Sequence, residues 1–186
     1  EGDFVFDHPV PGIGAGIAQS FLARGYDVVA TARHATKSRE LSASDHLVLV
    51  DGDIGQFETA EKVARVAIEK FRSIDAVVAN AGIFIAKSFT DYTAEDFKSL
   101  VSTNVEGFLY VTQLSIKQML AQKTGGSIVT ITAALARNPI RGVTAAVPMI
   151  TKGGLETITQ HLAMEYARDG IRVNAVAPGT ISTEAV

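Results

Sequence analysis

The chain has 186 residues, of which 47% are hydrophobic and 20% charged, enough apolar surface for one globular domain with a sizeable core. Its formal net charge of -3 comes from interspersed acidic and basic residues, so we expect neither nucleic acid nor a membrane as a partner. It has no cysteine, which excludes disulfides and thiolate metal sites. The four histidines have no ligand-like spacing, so no metal site is expected.

No apolar run reaches the roughly 18 to 20 residues of a membrane-spanning helix, and the first residues lack the charged and apolar regions of a signal peptide. We therefore expect a cytoplasmic protein.

Short β-branched runs alternate with longer segments of helical period, a pattern that predicts a parallel sheet covered by helices on both faces. In chain order, the predicted strands are 4–6, 27–31, 46–50, 75–79, 127–132 and 172–176. The predicted helices are 14–24, 57–71, 94–121 and 148–167, with Gly25 and Gly170 suited to helix ends. The expected fold is α/β, a doubly wound parallel sheet (Rossmann fold) in a three-layer α/β/α sandwich, as a single domain over 1–186.

A glycine-rich turn follows the first predicted strand and leads into a helix through Gly12, Ile13 and Gly14. Glycines let backbone amides approach a phosphate, and a helix amino terminus offers unpaired N–H donors. Ile17 stands where a G-x-G-x-x-G motif has its third glycine, so the turn fits a plain strand-to-helix connection equally well.

Five further segments follow in a constant order: 78–82 (VANAG), 103–107 (TNVEG), 127–132 (SIVTIT), 151–155 (TKGGL) and 171–180 (IRVNAVAPGT). With them the chain resembles the short-chain dehydrogenase/reductase family over nearly its whole length. The resemblance implies NAD(P)-dependent oxidation or reduction of a small alcohol or carbonyl substrate, in a homodimer or homotetramer formed through the two longest helices. Family members continue past the Pro178-Gly179 pair, so the usual substrate loop and last strand are expected to be lacking here.

The resemblance also assigns the cofactor to three groups of residues. These lie at the pyrophosphate (Gly12, Ile13, Gly14), at the adenosine (Asp53, Ile54, Asn80, Ala81, Gly82) and at the nicotinamide (Lys152, Pro178, Gly179, Ile181, Thr183). The adenosine and nicotinamide groups also have structural alternatives. Asp53 could be a loop carboxylate or a helix cap, Asn80 could tie two strand ends together, and Pro178 could belong to a turn-forming pair.

Arg33 follows the second predicted strand, where no acidic residue is present to bind both hydroxyls of an adenosine ribose. A guanidinium can make paired hydrogen bonds to a 2′-phosphate, and the resemblance interprets arginine here as a preference for NADP, with NAD possible. An exposed loop arginine is the alternative.

The family's proton chemistry uses a tyrosine four residues before the lysine, a serine after the fifth strand and an asparagine on the preceding helix. Lys152 and Asn104 match this set, but Pro148 stands at the tyrosine position and Ala133 at or near the serine position. Thr132 is the nearest hydroxyl that could orient a carbonyl, although strand alternation turns it away from the side of Ala133. The expected catalytic residues are therefore Asn104, Thr132 and Lys152.

Two functions follow from these residues. The first is an NADP-dependent oxidoreductase with an incomplete catalytic set, and the alternative is an inactive dinucleotide-binding or scaffold protein. Tyr166 lies 14 residues beyond Lys152, about 21 Å along a continuous helix, and Tyr110 lies six residues beyond Asn104, about 240° around its helix, so both are expected to be packing residues. Asp7 and His8 replace the threonine and glycine of the family's phosphate turn, which is expected to weaken the binding of the cofactor.

Overall fold

The computed structural model describes residues 3–7 and 12–181, with side chains described for 12–181. All six strands lie in one parallel sheet in the order β3-β2-β1-β4-β5-β6. The strands are β1 (Asp3–Asp7), β2 (Asp27–Ala32), β3 (Leu47–Asp51), β4 (Ala76–Ala79), β5 (Gly126–Ile131) and β6 (Ile171–Val176). The order reverses direction between β1 and β4, which confirms the doubly wound α/β fold and places a crevice at the carboxyl edge.

Five α-helices connect the described strands. They are α1 (Ile13–Leu22), α2 (Phe57–Phe71), α3 (Ala94–Val101), α4 (Gly107–Gln122) and α5 (Ala146–Glu165). One apolar cluster joins the sheet to α2 and α4, and its central residues include Val63, Val111 and Ile128. A second cluster joins the sheet to α1 through Ala15 and Ala18. The inner strands are therefore buried between helices, as their nearly continuous apolar sequences predict, whereas four of the six residues of the edge strand β6 are exposed.

The predicted helix 94–121 is interrupted. A π-helical turn, Ser102–Glu106, separates α3 from α4, and it contains Asn104. Such turns widen the helix by one residue and occur frequently at functional sites. Periodicity over the whole segment could not show this change, because one extra residue in a turn leaves the average helical period almost unaltered.

The other element boundaries differ from the predictions by a few residues. The helix predicted at 148–167 is α5 (Ala146–Glu165), so Pro148 lies in its first turn, where its missing N–H needs no partner. Helix α1 ends at Leu22, and Gly25 with φ 82° turns the chain toward β2. Gly170 has φ 71° and ends the 3-10 turn Ala167–Asp169 before β6.

Within 3–7 and 12–181, no helix is long and apolar enough to cross a bilayer. Over the same part of the chain, no three histidine or acidic side chains cluster in a way that could hold a metal ion.

Candidate active site

A cleft of about 300 Å³ lies at the carboxyl ends of β2, β3 and β4. It brings together four of the residues predicted to contact the cofactor, which come from three different loops: Arg33, Asp53, Ile54 and Ala81. It lies beside the point where the strand order reverses, which is where open α/β sheets bind their ligands.

The two charged residues of the cleft differ in their surroundings. Asp53 accepts a hydrogen bond from the N–H of Gly55 at 3.0 Å, so one carboxylate oxygen shapes the turn before α2. Arg33 is exposed, and among the described residues no carboxylate lies within ion-pairing distance of it. The guanidinium is thus a cation at the rim of the cleft, while Asp53 combines a structural and a lining role.

The amino end of α1 begins at Gly12, whose φ of 151° and ψ of -158° lie in a region that is essentially restricted to glycine. Ile13 and Gly14 form the first turn, which carries no acidic residue. Unpaired N–H groups and a positive partial charge therefore meet at this end of the helix. Residues 8–11 lie outside the described residues, and they include His8 of the phosphate turn.

Asn104 is buried, with 1% of its surface exposed, and every polar atom of its side chain is used. Its Oδ1 accepts from the N–H of Ile83 at 2.8 Å, and its Nδ2 donates to the carbonyl of Ile83 at 3.1 Å. The same Nδ2 donates to Oγ1 of Thr151 at 2.9 Å. Thr151 in turn donates to the carbonyl of Pro148 at 2.7 Å. Asn104 thus connects the loop after β4 to the first turn of α5.

Lys152 reaches across the carboxyl edge of the sheet, where its Nζ donates to the carbonyl of Ile131 at 2.9 Å. Gly82 packs against this ammonium group. A Cβ atom at Gly82 would lie 2.8 Å from Nζ of Lys152 and 3.3 Å from Oδ1 of Asn104. The structure therefore brings Gly82, Asn104 and Lys152 together, and a side chain at position 82 would have to displace the flexible end of Lys152.

Pro148 is buried in the first turn of α5. It lies one helical turn before Lys152 and so on the same face of α5, but a proline ring can neither donate nor accept a proton. Tyr110 and Tyr166 both pack against the core, and Tyr110 meets the Phe57 ring edge-on at 5.4 Å, as expected for packing residues. A hydrogen bond with Glu165 raises the pKa of Tyr166, which keeps its phenol protonated.

The suggestion that Thr132 orients a substrate carbonyl is not supported by its contacts. Strand β5 ends at Ile131, one residue earlier than predicted, and the Thr132 hydroxyl donates to Oε1 of Glu156 at 3.2 Å and to the carbonyl of Val176 at 3.3 Å. Glu156 is itself buried and accepts from Nε of Arg137 at 2.5 Å. The hydroxyl is thus committed to a buried polar cluster, because alternation along the strand turns it away from Ala133.

The segment predicted to meet the nicotinamide follows β6. The carbonyl of Pro178 accepts from the N–H of Ala134 at 2.9 Å, which joins this segment to the loop after β5. A Cβ at Gly179 would meet nothing within 4 Å, and Ile181 is exposed. Thr183 lies outside the described residues.

Sequence reasoning missed several residues of the site. Ser99, Ser102 and Thr103 line the cleft from α3 and the π-helical turn, and Ile83 lines it from the loop after β4. Their signal was weak, because the π-helical turn changes which faces these residues present. Thr151 belongs to the TKGGL segment but has no predicted role, although its position next to Lys152 could have suggested one.

The chain is similar to proteins of known sequence and structure. A family model described as enoyl-(acyl carrier protein) reductase matches residues 10–186. L-rhamnose-1-dehydrogenase of Scheffersomyces stipitis is 33% identical over 183 residues, which cover 94% of this chain and 70% of that protein.

Two solved structures share the fold. The structure of 3-ketoacyl-(acyl-carrier-protein) reductase from Brucella melitensis complexed with NADH has a TM-score of 0.92 at 26% identity, covering 98% of this chain and 77% of the other. The structure of ElxO with NADP bound has a TM-score of 0.87 at 27% identity, covering 99% of this chain and 75% of the other. The similarity extends over the cleft and over the Lys152 region alike.

Proposed function

The chain belongs to the short-chain dehydrogenase/reductase family, and from that premise we propose that it is an NADP-preferring oxidoreductase with weak proton transfer. Its substrate is a small alcohol or carbonyl compound. The observation that best supports this proposal is that Gly82, Asn104 and Lys152 lie close together, beside a cleft lined by Arg33 and Asp53.

The residues present fit a nicotinamide dinucleotide. Glycine at position 82 lets the Lys152 ammonium group lie close to the loop after β4, and Gly12 begins α1 in a conformation that favours glycine. The backbone of Gly12, Ile13 and Gly14 would hold the pyrophosphate, Asp53 and Ile54 the adenine, and Asn80, Ala81 and Gly82 the adenosine ribose. Lys152 would hold the nicotinamide ribose, with Pro178, Gly179, Ile181 and Thr183 beside the ring. The dinucleotide, when bound, supplies or accepts the hydride.

The protein's own contribution to the chemistry is incomplete. Pro148 offers no proton, and the Thr132 hydroxyl is committed to Glu156. Lys152 remains as a cation at the end of β5, able to stabilise negative charge that develops on a substrate oxygen. Positioned proton transfer typically contributes about 10² to 10⁴ in rate, so its loss slows catalysis by proximity without abolishing it.

The preference for NADP rests on Arg33 and is tested by Arg33→Ala. Because charge-assisted, paired hydrogen bonds to a phosphate are strong, the variant is expected to bind NADPH at least about tenfold more weakly and NADH unchanged. Arg39→Ala, which removes an exposed arginine a few residues away, is the matched control. Equal affinity of the wild-type protein for NADPH and NADH, unchanged by Arg33→Ala, would contradict the preference.

A second candidate is a dinucleotide-binding protein without turnover, favoured by the proline at position 148. The two functions are separated by single-turnover assays with saturating NADPH and a panel of carbonyl compounds. Slow oxidation of NADPH that depends on a carbonyl compound and falls in Lys152→Met supports the oxidoreductase. Tight NADPH binding with no oxidation across the panel supports the second function.

We also propose a homodimer or homotetramer formed through α4 and α5. Leu109 and Leu120 are partly exposed on α4, roughly 20° apart around the helix, and Ile150 and Met164 are exposed on α5 roughly 40° apart. Each helix thus carries apolar residues along one outer face, which suits an isologous contact across a twofold axis. Sedimentation at tens of micromolar is expected to show a dimer or larger species, and a monomer would contradict the proposal.

A further inference from the structure

The loop that carries Arg33 is fixed at both of its ends. At its start, the N–H of Gly52 donates to the carbonyl of Ala32 at 3.0 Å. At its end, the carboxylate of Asp51 binds Thr36 twice, accepting from its N–H at 2.8 Å and from its hydroxyl at 2.5 Å. Asp51 is the last residue of β3, so the anchor belongs to the rigid sheet rather than to the loop itself.

Only three residues lie between these fixed points. Ala35, next to Thr36, has no exposed surface and packs against the core, while Arg33 and His34 are exposed. Arg33 shares the cleft with Gly52 and Asp53, which directly follow Asp51. A segment of three residues that is held at both ends and packed against the core at Ala35 has few conformations. The hydrogen bonds between Asp51 and Thr36 therefore help to set the backbone position from which the Arg33 side chain extends.

We propose that Asp51 is a positioning residue for cofactor selectivity. By fixing Thr36 it fixes the loop that presents the Arg33 guanidinium to the 2′-phosphate of NADP, and it touches no part of the cofactor itself. This role rests on the proposed function, in which Arg33 recognises that phosphate. A preorganised guanidinium loses less conformational freedom on binding than one on a mobile loop.

A carboxylate near a phosphate site would otherwise be unfavourable, since like charges repel. Here the hydrogen bonds from Thr36 lower the pKa of Asp51, and the nearby His34 and Lys62 lower it further, so the group is charged at neutral pH. Lys62 lies beside it, with Nζ 3.5 Å from the Asp51 carbonyl oxygen. The two effects predict opposite changes in affinity when this carboxylate is removed. If Asp51 positions Arg33, a 2′-phosphate should bind more weakly, and if Asp51 only repels the phosphate, it should bind more tightly.

The test uses two fragments that need no chemistry, adenosine 2′,5′-bisphosphate and adenosine 5′-monophosphate, titrated calorimetrically into the full chain. The wild-type protein is expected to bind the bisphosphate more tightly. Asp51→Asn and Thr36→Val are each expected to weaken bisphosphate binding by at least about fivefold, part of what a paired guanidinium–phosphate contact supplies. Monophosphate binding should change by less than about twofold in both.

Three controls separate positioning from a general effect. Asp45→Asn removes an exposed charge from the segment between β2 and β3 and should leave both affinities unchanged. Thr36→Ser keeps the hydroxyl and should restore the preference lost in Thr36→Val. In an Arg33→Ala background, Asp51→Asn should have no further effect, because a residue that acts through Arg33 has nothing left to position.

The results distinguish the two levels of the proposal. Equal wild-type affinity for both fragments, unchanged by Arg33→Ala, would overturn the NADP preference together with the role of Asp51. A wild-type preference that Arg33→Ala removes but Asp51→Asn and Thr36→Val leave intact would overturn only the role of Asp51. Tighter bisphosphate binding by Asp51→Asn would likewise overturn positioning, since it is the result that repulsion predicts.

Discussion

The carboxyl edge of the sheet has a proposed nucleotide side and a proposed hydride-transfer side, and the two differ in how completely their residues match the family's pattern. On the nucleotide side, Arg33, Asp53 and Ile54 meet in one cleft. On the other side, Lys152 and Asn104 are in position, but Pro148 occupies the turn before the lysine and Thr132 faces Glu156.

The difference follows from what each region demands of the chain. Binding at a strand edge depends on backbone geometry and on small residues such as Gly82, which allows the end of Lys152 to lie close to the backbone. In the proposed function, proton transfer depends on one side chain, and a proline at its position leaves α5 intact because the first helical turn tolerates proline. Fold and binding can therefore be retained where acid–base chemistry is lost.

The largest expected effect tests whether Asn104 connects the two sides. Asn104→Leu removes the partners of the Ile83 N–H and the Ile83 carbonyl and one of the two hydrogen bonds of the Thr151 hydroxyl, and each buried polar group left unpaired costs about 1–3 kcal/mol. We expect the free energy of unfolding in urea to fall by about 3 kcal/mol. Asn138→Leu, at an exposed position, should change it by less than about 0.5 kcal/mol. Equal effects of the two substitutions would show that Asn104 does not hold the edge together.

Pro148→Tyr would reduce the difference between the two sides, because it places a phenol one helical turn before Lys152. We expect single-turnover carbonyl reduction at saturating NADPH to rise by at least about tenfold, the low side of what positioned acid catalysis supplies. Adding Ala133→Ser should increase the rate further if that residue occupies the serine position.

Because Pro148 is buried, the larger ring also has to be accommodated, at a cost of about 1–3 kcal/mol in stability. Pro148→Ala, which keeps the helix and adds no phenol, is the control. A stable Pro148→Tyr protein that binds NADPH and shows no gain on any substrate would favour the binding protein without turnover.

Thr132→Val asks whether the buried hydroxyl has any part in catalysis. Since the hydroxyl bonds to Glu156, its removal should lower the free energy of unfolding by about 1 kcal/mol and change the single-turnover rate by less than about twofold. A tenfold fall in rate with unchanged NADPH affinity would instead mean that Thr132 orients the substrate carbonyl.

The smallest effect concerns Asp96 at the start of α3, the helix that carries Ser99 into the cleft. Hydrogen bonds from Lys87 and Thr93 lower its pKa below 3.8, so its contribution to stability is present above that pH and is lost as the pH falls through the lowered pKa. The urea midpoints of wild type and Asp96→Asn should therefore differ slightly at pH 6 and converge toward pH 3. A difference that stays the same as the pH falls would assign the effect to the capping geometry rather than to the charge.

Much of the fold could be predicted because its signals are local. Buried strands such as 27–31 are short apolar runs, and helix α2 has the predicted bounds because its apolar residues repeat with helical period. The π-helical turn at Ser102–Glu106 could not be predicted, because the sequence around it continues the helical pattern on both sides.

By itself, the sequence determined the parallel α/β fold, the family and the pairing of Lys152 with a proline one turn before it, since each depends on residue types at fixed spacing along the chain. The tertiary structure alone decided which partner each polar side chain found. Thr132 meets Glu156 across 24 residues of sequence, and Thr36 meets Asp51 across 15. Periodicity gives the face of an element on which a side chain lies, but the neighbour on that face comes from another element, whose approach is set by the packing of the whole sheet.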